Sequence, residues 1–167
     1  LINNWRWAEV PFYLRTGKKL AKKASEIVIT FKDRLHQIFS KYGNEGDSKY
    51  PNRLIIRVQP NEGLRLLLKS KEPGPGGMRL FPSELNLSFE ETFGARLPDA
   101  YERLLMDTAR GNQTLFMRTD EVLASWDFID ALVNLTKMQT LEQYNQGSMG
   151  PEDFILEKSG HEWFKLK

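Results

Sequence analysis

The sequence predicts an α+β domain with a large, mainly antiparallel sheet and helices packed on one side. Three observations support this fold class. Strand-like segments come first and helix-like segments follow, without the βαβ alternation of a parallel sheet. Turn residues join neighbouring strand-like segments at short spacing, as in antiparallel hairpins. No internal repeat or second domain is evident, so residues 1–167 are expected to form a single domain.

The predicted strands are marked by β-branched and alternating apolar residues. The segments with this pattern are Val10–Thr16, Glu26–Phe31, Arg53–Gln59, Leu64–Lys69 and the alternation of Leu85, Leu87 and Phe89 with polar residues. The third of these is predicted to be central and ends at Pro60, where a turn leads into its antiparallel neighbour. The last is typical of a half-buried strand, so we expect its apolar side to face a core.

Proline, acidic and glycine residues mark the predicted helices. One helix is expected to begin at Pro98 and Asp99 and to end at Gly111. A longer helix follows a cap at Thr119, and its apolar stripe, which includes Trp126, is predicted to be core. A third, short helix begins after Pro151 and is closed by Gly160. An apolar face of the sheet that these helices leave uncovered would serve as a dimer interface.

Composition excludes several classes of function. The chain has 24 Lys and Arg against 22 Asp and Glu, and it has no cysteine. It therefore has no disulfide framework, thiolate zinc site, iron–sulfur cluster or cysteine nucleophile, and with only two histidines no metal site is expected. No apolar run is long enough for a membrane span, so a cytoplasmic protein is expected. Because core-type aromatic residues begin at Trp5 without an initiator Met, we expect the chain to belong to a longer protein.

The densest charge cluster is Lys18–Lys23, with four lysines in six residues. Composition alone favours a solvated surface loop. The alternative is an anion site, because ammonium groups bind phosphate oxygens as point charges. The cluster is local and the remaining charge is balanced, so a small phosphorylated ligand fits better than a nucleic acid.

Three other features of the sequence are better explained by structural roles than by functional ones. The glycine-rich segment Pro73–Gly77 lacks the spacing of a dinucleotide fingerprint and is predicted to be a turn. His36 and His161 lack a neighbouring carboxylate at catalytic spacing and are interpreted as surface residues. Arg57 and Gln59 share one face of their predicted strand, which favours a cross-strand salt bridge and an exposed amide.

Several segments together resemble the C-terminal domain of glucose-6-phosphate dehydrogenase, and the resemblance extends over essentially the whole chain. The segments are Asn4–Lys18, Asn52–Glu62, Leu97–Leu104, Pro73–Gly74 with Met78–Arg79, Phe116–Glu121 followed by Trp126, and Gly147–Pro151. The resemblance implies an NADP-dependent oxidoreductase that converts glucose 6-phosphate to 6-phosphogluconolactone in the pentose phosphate pathway. It also implies a large antiparallel sheet that forms a homodimer.

The same resemblance assigns three substrate-binding residues. Lys18 is similar to a lysine that contacts a hydroxyl of glucose 6-phosphate, Lys23 to a basic residue that reaches its phosphate, and Gln59 to a substrate-contacting glutamine. The family's dinucleotide-binding domain and its catalytic His–Asp pair have no counterpart in this sequence, and neither histidine here matches that base. We therefore expect no catalytic residue in this chain and no dehydrogenase activity from it alone.

Animal members of the family bind a second, structural NADP on this domain. Arg15 and Arg57 match basic residues of that site, whereas other positions of the set depart from it, namely Ala24, Val28, Leu67, Asn86 and Met149. The loss of positive charge implies that this chain binds no NADP, as in bacterial-type members.

Two alternative functions stay open at this point. The chain could be a separate anion- or nucleic-acid-binding module that uses the Lys18–Lys23 cluster, or a structural dimer module without a ligand. Binding to DNA with a steep salt dependence would favour the former. Thermal stabilisation by a sugar phosphate would argue against the latter.

Overall fold

The computed structural model describes residues 2, 4–32, 51–75, 79–94, 100–151 and 154–166. The chain divides into two compact units. One unit combines Leu1–Lys23 with Glu142–Lys167, and the other is the continuous segment Ala24–Leu141. The continuous unit contains a sheet and three helices, and the discontinuous unit contains one short helix.

Four antiparallel strands form the sheet in the order β1-β2-β3-β4. Their bounds are β1 Ser25–Thr30, β2 Arg53–Gln59, β3 Gly63–Lys71 and β4 Leu80–Ser88. The prediction for β2 is confirmed at both ends, and β2 is an inner strand as expected. The antiparallel pairing of β2 with β3 and the α+β fold class are confirmed as well.

One face of the sheet is polar and closely packed. Cross-strand partners lie on the same face, and on this face the register aligns Val28, Ile55, Arg65 and Asn86. Ile55 is completely buried and Arg65 is 6% exposed. The long apolar stem of an arginine can cover neighbouring side chains while its guanidinium makes polar contacts. This explains how the charged residue Arg65 is buried on this face.

The opposite face of the sheet is apolar and exposed. Its exposed side chains come from the outer strands and from the start of β3: Ile27, Ile29, Leu64, Phe81, Leu85 and Leu87. Leu85 is 62% exposed. The predicted alternation along β4 is confirmed, but the expectation that its leucines face a core is wrong for the described part of the chain. We call these six residues the apolar sheet face.

The short helix that follows β4 was not predicted from the sequence. Phe89 was expected to continue the strand, but it is the first residue of α1, Phe89–Phe93. Ser88 ends the strand and caps the helix, because its hydroxyl accepts a hydrogen bond from the backbone N–H of Glu91. Gly94 closes α1 in the left-handed conformation, with φ of 58°.

Two longer helices complete this unit. Helix α2, Ala100–Arg110, is followed by Gly111 with φ of 71°, as the predicted glycine stop requires. Helix α3, Thr119–Thr136, is capped one residue before the predicted cap. The Glu121 carboxylate accepts a hydrogen bond from the backbone N–H of Arg118, so Thr119 is already helical.

The apolar stripe of α3 is not buried among the described residues. Trp126 is 60% exposed, and no residue of this helix is classed as buried. The prediction that this stripe is core is therefore wrong for the described chain. A helix with so many apolar residues is typical of one that packs against another element, and no described element packs extensively on this one.

The discontinuous unit contains α4, Phe154–Ser159, which ends at Gly160 with φ of 69° as predicted. The prediction of a strand over Val10–Thr16 is wrong, because among the described residues this segment is not part of any strand ladder. Pro11 lacks the N–H group that a ladder needs, and the segment uses its side chains instead to contact residues near the C-terminus. Within the described residues, no helix combines the length and apolar character of a membrane span.

Candidate functional site

The lysine loop, defined as Gly17–Lys23, carries two of the three predicted substrate-binding residues. Lys18 and Lys23 are both exposed on this loop. In the described part of the chain, the ammonium groups of Lys18, Lys19 and Lys23 have neither a hydrogen-bond nor an ion-pair partner. Three uncompensated positive charges on one short loop favour an anion as their partner, as the anion-site interpretation expects.

The fourth lysine of the loop has a different role. The ammonium group of Lys22 donates a hydrogen bond to the backbone carbonyl of Leu166 at 2.9 Å. This contact joins the loop to the C-terminal segment and gives the Lys22 ammonium group a partner within the chain. The candidate anion site therefore consists of three lysines rather than four.

The backbone of the lysine loop is held by residues 144–148, which we call the latch segment. Lys19 has φ of 54°, in the left-handed region that non-glycine residues rarely adopt. Hydrogen bonds on both sides of it fix the chain in this conformation. They join the Tyr144 hydroxyl to the Lys18 carbonyl at 2.8 Å, the Gly147 N–H to the Lys19 carbonyl at 2.9 Å, and the Ala21 N–H to the Ser148 carbonyl at 2.8 Å.

The segment that precedes the loop is anchored to residues near the C-terminus in a similar way. The Arg15 guanidinium lies 3.9 Å from the centre of the Trp163 ring, and one of its N–H groups donates to the Met149 carbonyl at 2.9 Å. The Tyr13 hydroxyl lies 2.8 Å from Nδ1 of His161. As predicted, His161 is exposed, and its partner is this tyrosine rather than a carboxylate.

Gln59, the third predicted substrate-binding residue, lies at the end of β2 in the other unit. Its side chain is exposed, and its backbone position pairs with Ser25 of β1. The structure thus brings Lys18 and Lys23 onto one loop and places Gln59 separately, at the end of a strand. His36 lies outside the described residues.

A network of polar side chains supports the strand that carries Gln59. Arg65 forms a two-pronged contact with Glu84, with its Nε 2.6 Å from Oε1 and its Nη2 3.0 Å from Oε2. The hydrogen bond to the Glu84 carboxylate raises the pKa of the Arg65 guanidinium, and burial opposes this effect. The Arg65 guanidinium therefore stays protonated at neutral pH, and the contact links β3 to β4.

Arg57 reaches across β3 to the same outer strand. Its Nη2 donates to the Asn86 side-chain oxygen at 2.9 Å and to the Leu87 carbonyl at 3.3 Å. The predicted cross-strand salt bridge of Arg57 is therefore a contact with an amide rather than with an acid. Gly63 permits the crossing, because a Cβ atom there would lie 2.7 Å from the Arg57 guanidinium and 2.2 Å from the Leu87 carbonyl oxygen.

The residues that match positions of a structural NADP site make contacts within the chain. Arg15 and Arg57, the two basic residues that match a structural NADP site, are both engaged in the contacts given above. Asn86, which stands where an acid is expected, accepts the hydrogen bond of Arg57. Within the described ranges, no three His, Asp or Glu side chains come together as metal ligands would.

Sequence reasoning missed two residues that shape this site, Tyr144 and Trp163. Each acts on a residue more than a hundred positions earlier in the chain. Local spacing carries no signal for such contacts, because they depend on tertiary packing. The sequence does show that Tyr144 and Trp163 are aromatic residues in polar segments. Such residues often pack through the apolar ring and make a hydrogen bond through the polar tip.

Comparison with known proteins supports the resemblance found in the sequence. Residues 1–164 match the family model described as "Glucose-6-phosphate dehydrogenase, C-terminal domain". The chain is 50% identical over 166 residues to glucose-6-phosphate 1-dehydrogenase of Rhizobium meliloti and 49% identical over 168 residues to that of Mycolicibacterium smegmatis. Both alignments cover 97% of this chain and 33% of the relative. The chain thus spans about a third of the length of these curated relatives.

Solved structures agree with the sequence comparison. The fold is similar to the glucose-6-phosphate 1-dehydrogenase of Mycobacterium avium, with a TM-score of 0.73 and 30% identity over 99% of this chain and 33% of that one. It is also similar to a glucose-6-phosphate dehydrogenase in complex with its substrate glucose-6-phosphate, with a TM-score of 0.69 and 29% identity over 90% of this chain and 30% of that one. The chain therefore belongs to the family of glucose-6-phosphate dehydrogenase C-terminal domains.

Proposed function

We propose that residues 1–167 form the substrate-completing and dimerising domain of a cytoplasmic, NADP-dependent glucose-6-phosphate dehydrogenase. The reaction oxidises glucose 6-phosphate to 6-phosphogluconolactone, and NADP accepts the hydride from the sugar. This chain contributes binding residues to that reaction and no general base. The observation that carries the proposal is the latched lysine loop, with three ammonium groups that have no partner among the described residues, in a chain of this family.

The lysine loop suits a sugar phosphate on electrostatic grounds. A phosphate monoester carries between one and two negative charges near neutral pH and offers several acceptor oxygens. In the proposed complex Lys23 binds the phosphate, while Lys18 and Gln59 bind hydroxyl groups of the sugar. Lysine suits these roles because its ammonium group donates in several directions and does not require the planar geometry of arginine.

The decisive experiment uses a hybrid enzyme, in which this chain replaces the matching third of the Rhizobium meliloti relative. Formation of NADPH from glucose 6-phosphate is the expected result. K18M and K23M are each expected to raise the KM for glucose 6-phosphate about tenfold or more, because each removes a charged hydrogen bond. K22M is the matched control and should raise KM much less than K18M or K23M, because its ammonium group is engaged by Leu166 and does not bind the substrate directly.

Two results would overturn this proposal. One is a folded hybrid enzyme that forms no NADPH. The other is an active hybrid in which K18M and K23M behave like K22M. The chain alone should form no NADPH from glucose 6-phosphate, since it carries no residue in the role of the catalytic base, and activity of the purified chain would contradict that expectation.

The apolar sheet face supports the homodimer. Its six exposed apolar side chains lie on the same side of the sheet, on β1, β3 and β4, and an exposed apolar face of this kind marks an interaction site. A two-fold dimer buries the same patch of both copies, so a face with few charges is self-complementary. We propose that a second copy of this chain covers this face.

A further inference from the structure

We propose that Tyr144 is a positioning residue for the substrate, acting through the backbone of Lys18. The inference rests on the proposed function and names a residue that this function does not itself require. The Tyr144 hydroxyl donates a hydrogen bond to the Lys18 carbonyl at 2.8 Å, across 126 positions of the chain. It is the contact of the latch segment made by a side chain rather than by the backbone.

The local structure at Gly17 supports a specific role for this hydroxyl. A Cβ atom at position 17 would lie 2.8 Å from the hydroxyl oxygen of Tyr144, which is closer than real Cβ contacts. Glycine therefore provides the space that the hydroxyl occupies. Moving the hydroxyl aside to make room for a side chain would break its bond to Lys18, so the Gly17–Lys18 step and the hydroxyl fit each other.

Because the Lys18 carbonyl is held, the position of the Lys18 Cα, from which the side chain extends, is restricted as well. The peptide unit is planar, so a held carbonyl fixes the orientation of the bond into the next residue. That residue, Lys19, is in the left-handed conformation with φ of 54°, and its own carbonyl accepts the Gly147 N–H. A loop held in this way loses less conformational freedom when it binds a ligand, which strengthens binding.

The alternative is that Tyr144 only stabilises the fold. The two roles differ in what a substitution changes. A purely stabilising residue alters the melting temperature and leaves the kinetic constants of the folded enzyme intact. A positioning residue alters the KM for glucose 6-phosphate in an enzyme that stays folded.

The test compares Y144F with Y13F in the hybrid enzyme. Each substitution removes one tyrosine hydroxyl from the same unit, but that of Tyr13 bonds Ser159 and lies 2.8 Å from His161 rather than contacting the lysine loop. We expect Y144F to raise the KM for glucose 6-phosphate about three- to tenfold with kcat retained, the loss of one hydrogen bond. Y13F should leave KM unchanged.

Gly17 provides a second measurement that does not depend on Y144F alone. G17A should raise KM in the hybrid enzyme, because its methyl group displaces the Tyr144 hydroxyl. In the Y144F background the hydroxyl is absent, so G17A should cause little further increase. This loss of additivity is expected only if the two residues act as one unit.

The possible outcomes distinguish failure of the inference about Tyr144 from failure of the proposed function. An active hybrid in which K18M raises KM, but Y144F and G17A do not, overturns the inference and leaves the proposed function in place. Additive effects of G17A and Y144F, or a lowered melting temperature with unchanged KM, also overturn the inference. A folded but inactive hybrid overturns the proposed function and the inference with it.

Discussion

The contact between Arg65 and Glu84 permits a quantitative prediction for E84Q. The substitution keeps the shape of the side chain, removes its charge, and replaces one of the two oxygens that accept from Arg65 with an NH2 group, which cannot accept. The Arg65 side chain is 7% exposed, so water cannot readily replace the lost acceptor, whereas that of Glu84 is 36% exposed. Breaking a buried ion pair costs about 3–5 kcal/mol, and partial exposure reduces this to about 2–3 kcal/mol.

The assay is urea unfolding followed by circular dichroism. A loss of about 2–3 kcal/mol lowers the unfolding midpoint by about 1 M for a protein of this size. The matched control is E72Q, because Glu72 also pairs with an arginine, Arg79, at 2.8 Å, but there the arginine side chain is 54% exposed. An exposed pair contributes about 0–1 kcal/mol, so E72Q should change the midpoint little.

The pH dependence follows from the sign of the Arg65 shift. A raised pKa stabilises the fold as long as the guanidinium is protonated, and this stabilisation disappears only as the pH rises through that pKa, far above neutral. The difference between wild type and E84Q should therefore be constant from about pH 7 to pH 9. Equal midpoints for E84Q and E72Q would refute the reasoning, because burial of Arg65 would then have no energetic consequence.

Three further predictions concern the sheet and the lysine loop. G63A should destabilise the protein by about 2–3 kcal/mol, measured by urea unfolding, because its methyl group would lie 2.2 Å from the Leu87 carbonyl oxygen; a smaller change than that of E72Q would contradict the crossing geometry. L85R should convert the dimer to a monomer in sedimentation experiments, whereas L105R, at a leucine of α2 that is 71% exposed, should not. The KM for glucose 6-phosphate should rise with ionic strength and lose most of this dependence in the K18M/K23M double variant, as expected for exposed charges.

The sheet could be predicted from the sequence where local signals agree. The bounds of β2 follow from a β-branched run that ends at Pro60, and the pairing with β3 follows from the short turn between them. The boundary at Phe89 was wrong because apolar alternation continues into the residue after the Ser88 cap. The hydroxyl of Ser88 favours the start of a helix at Phe89, whereas the apolar alternation favours a strand that continues through Phe89.

Burial was harder to predict than secondary structure. Trp126 and Leu85 have the pattern of core residues, and both are exposed among the described residues. Periodicity shows which side of an element is apolar but does not show what covers that side. The same limit applies to the lysine loop. Lys18 and Lys23 were found because their charges lie close together in sequence, whereas Tyr144 reaches Lys18 only through the fold.

The discontinuity of the unit that carries the lysine loop has a consequence for biosynthesis. The sheet unit is one continuous segment, so its strands can pair as soon as they leave the ribosome. The loop unit needs Glu142–Lys167 as well as Leu1–Lys23, and the latch on Lys18 is supplied by the later segment. During translation the lysine loop is therefore made before the sheet unit and takes its final conformation only after the sheet unit has been made. Synthesis of Glu142–Lys167, rather than of the lysines themselves, is the event that allows the latched conformation of the lysine loop to form.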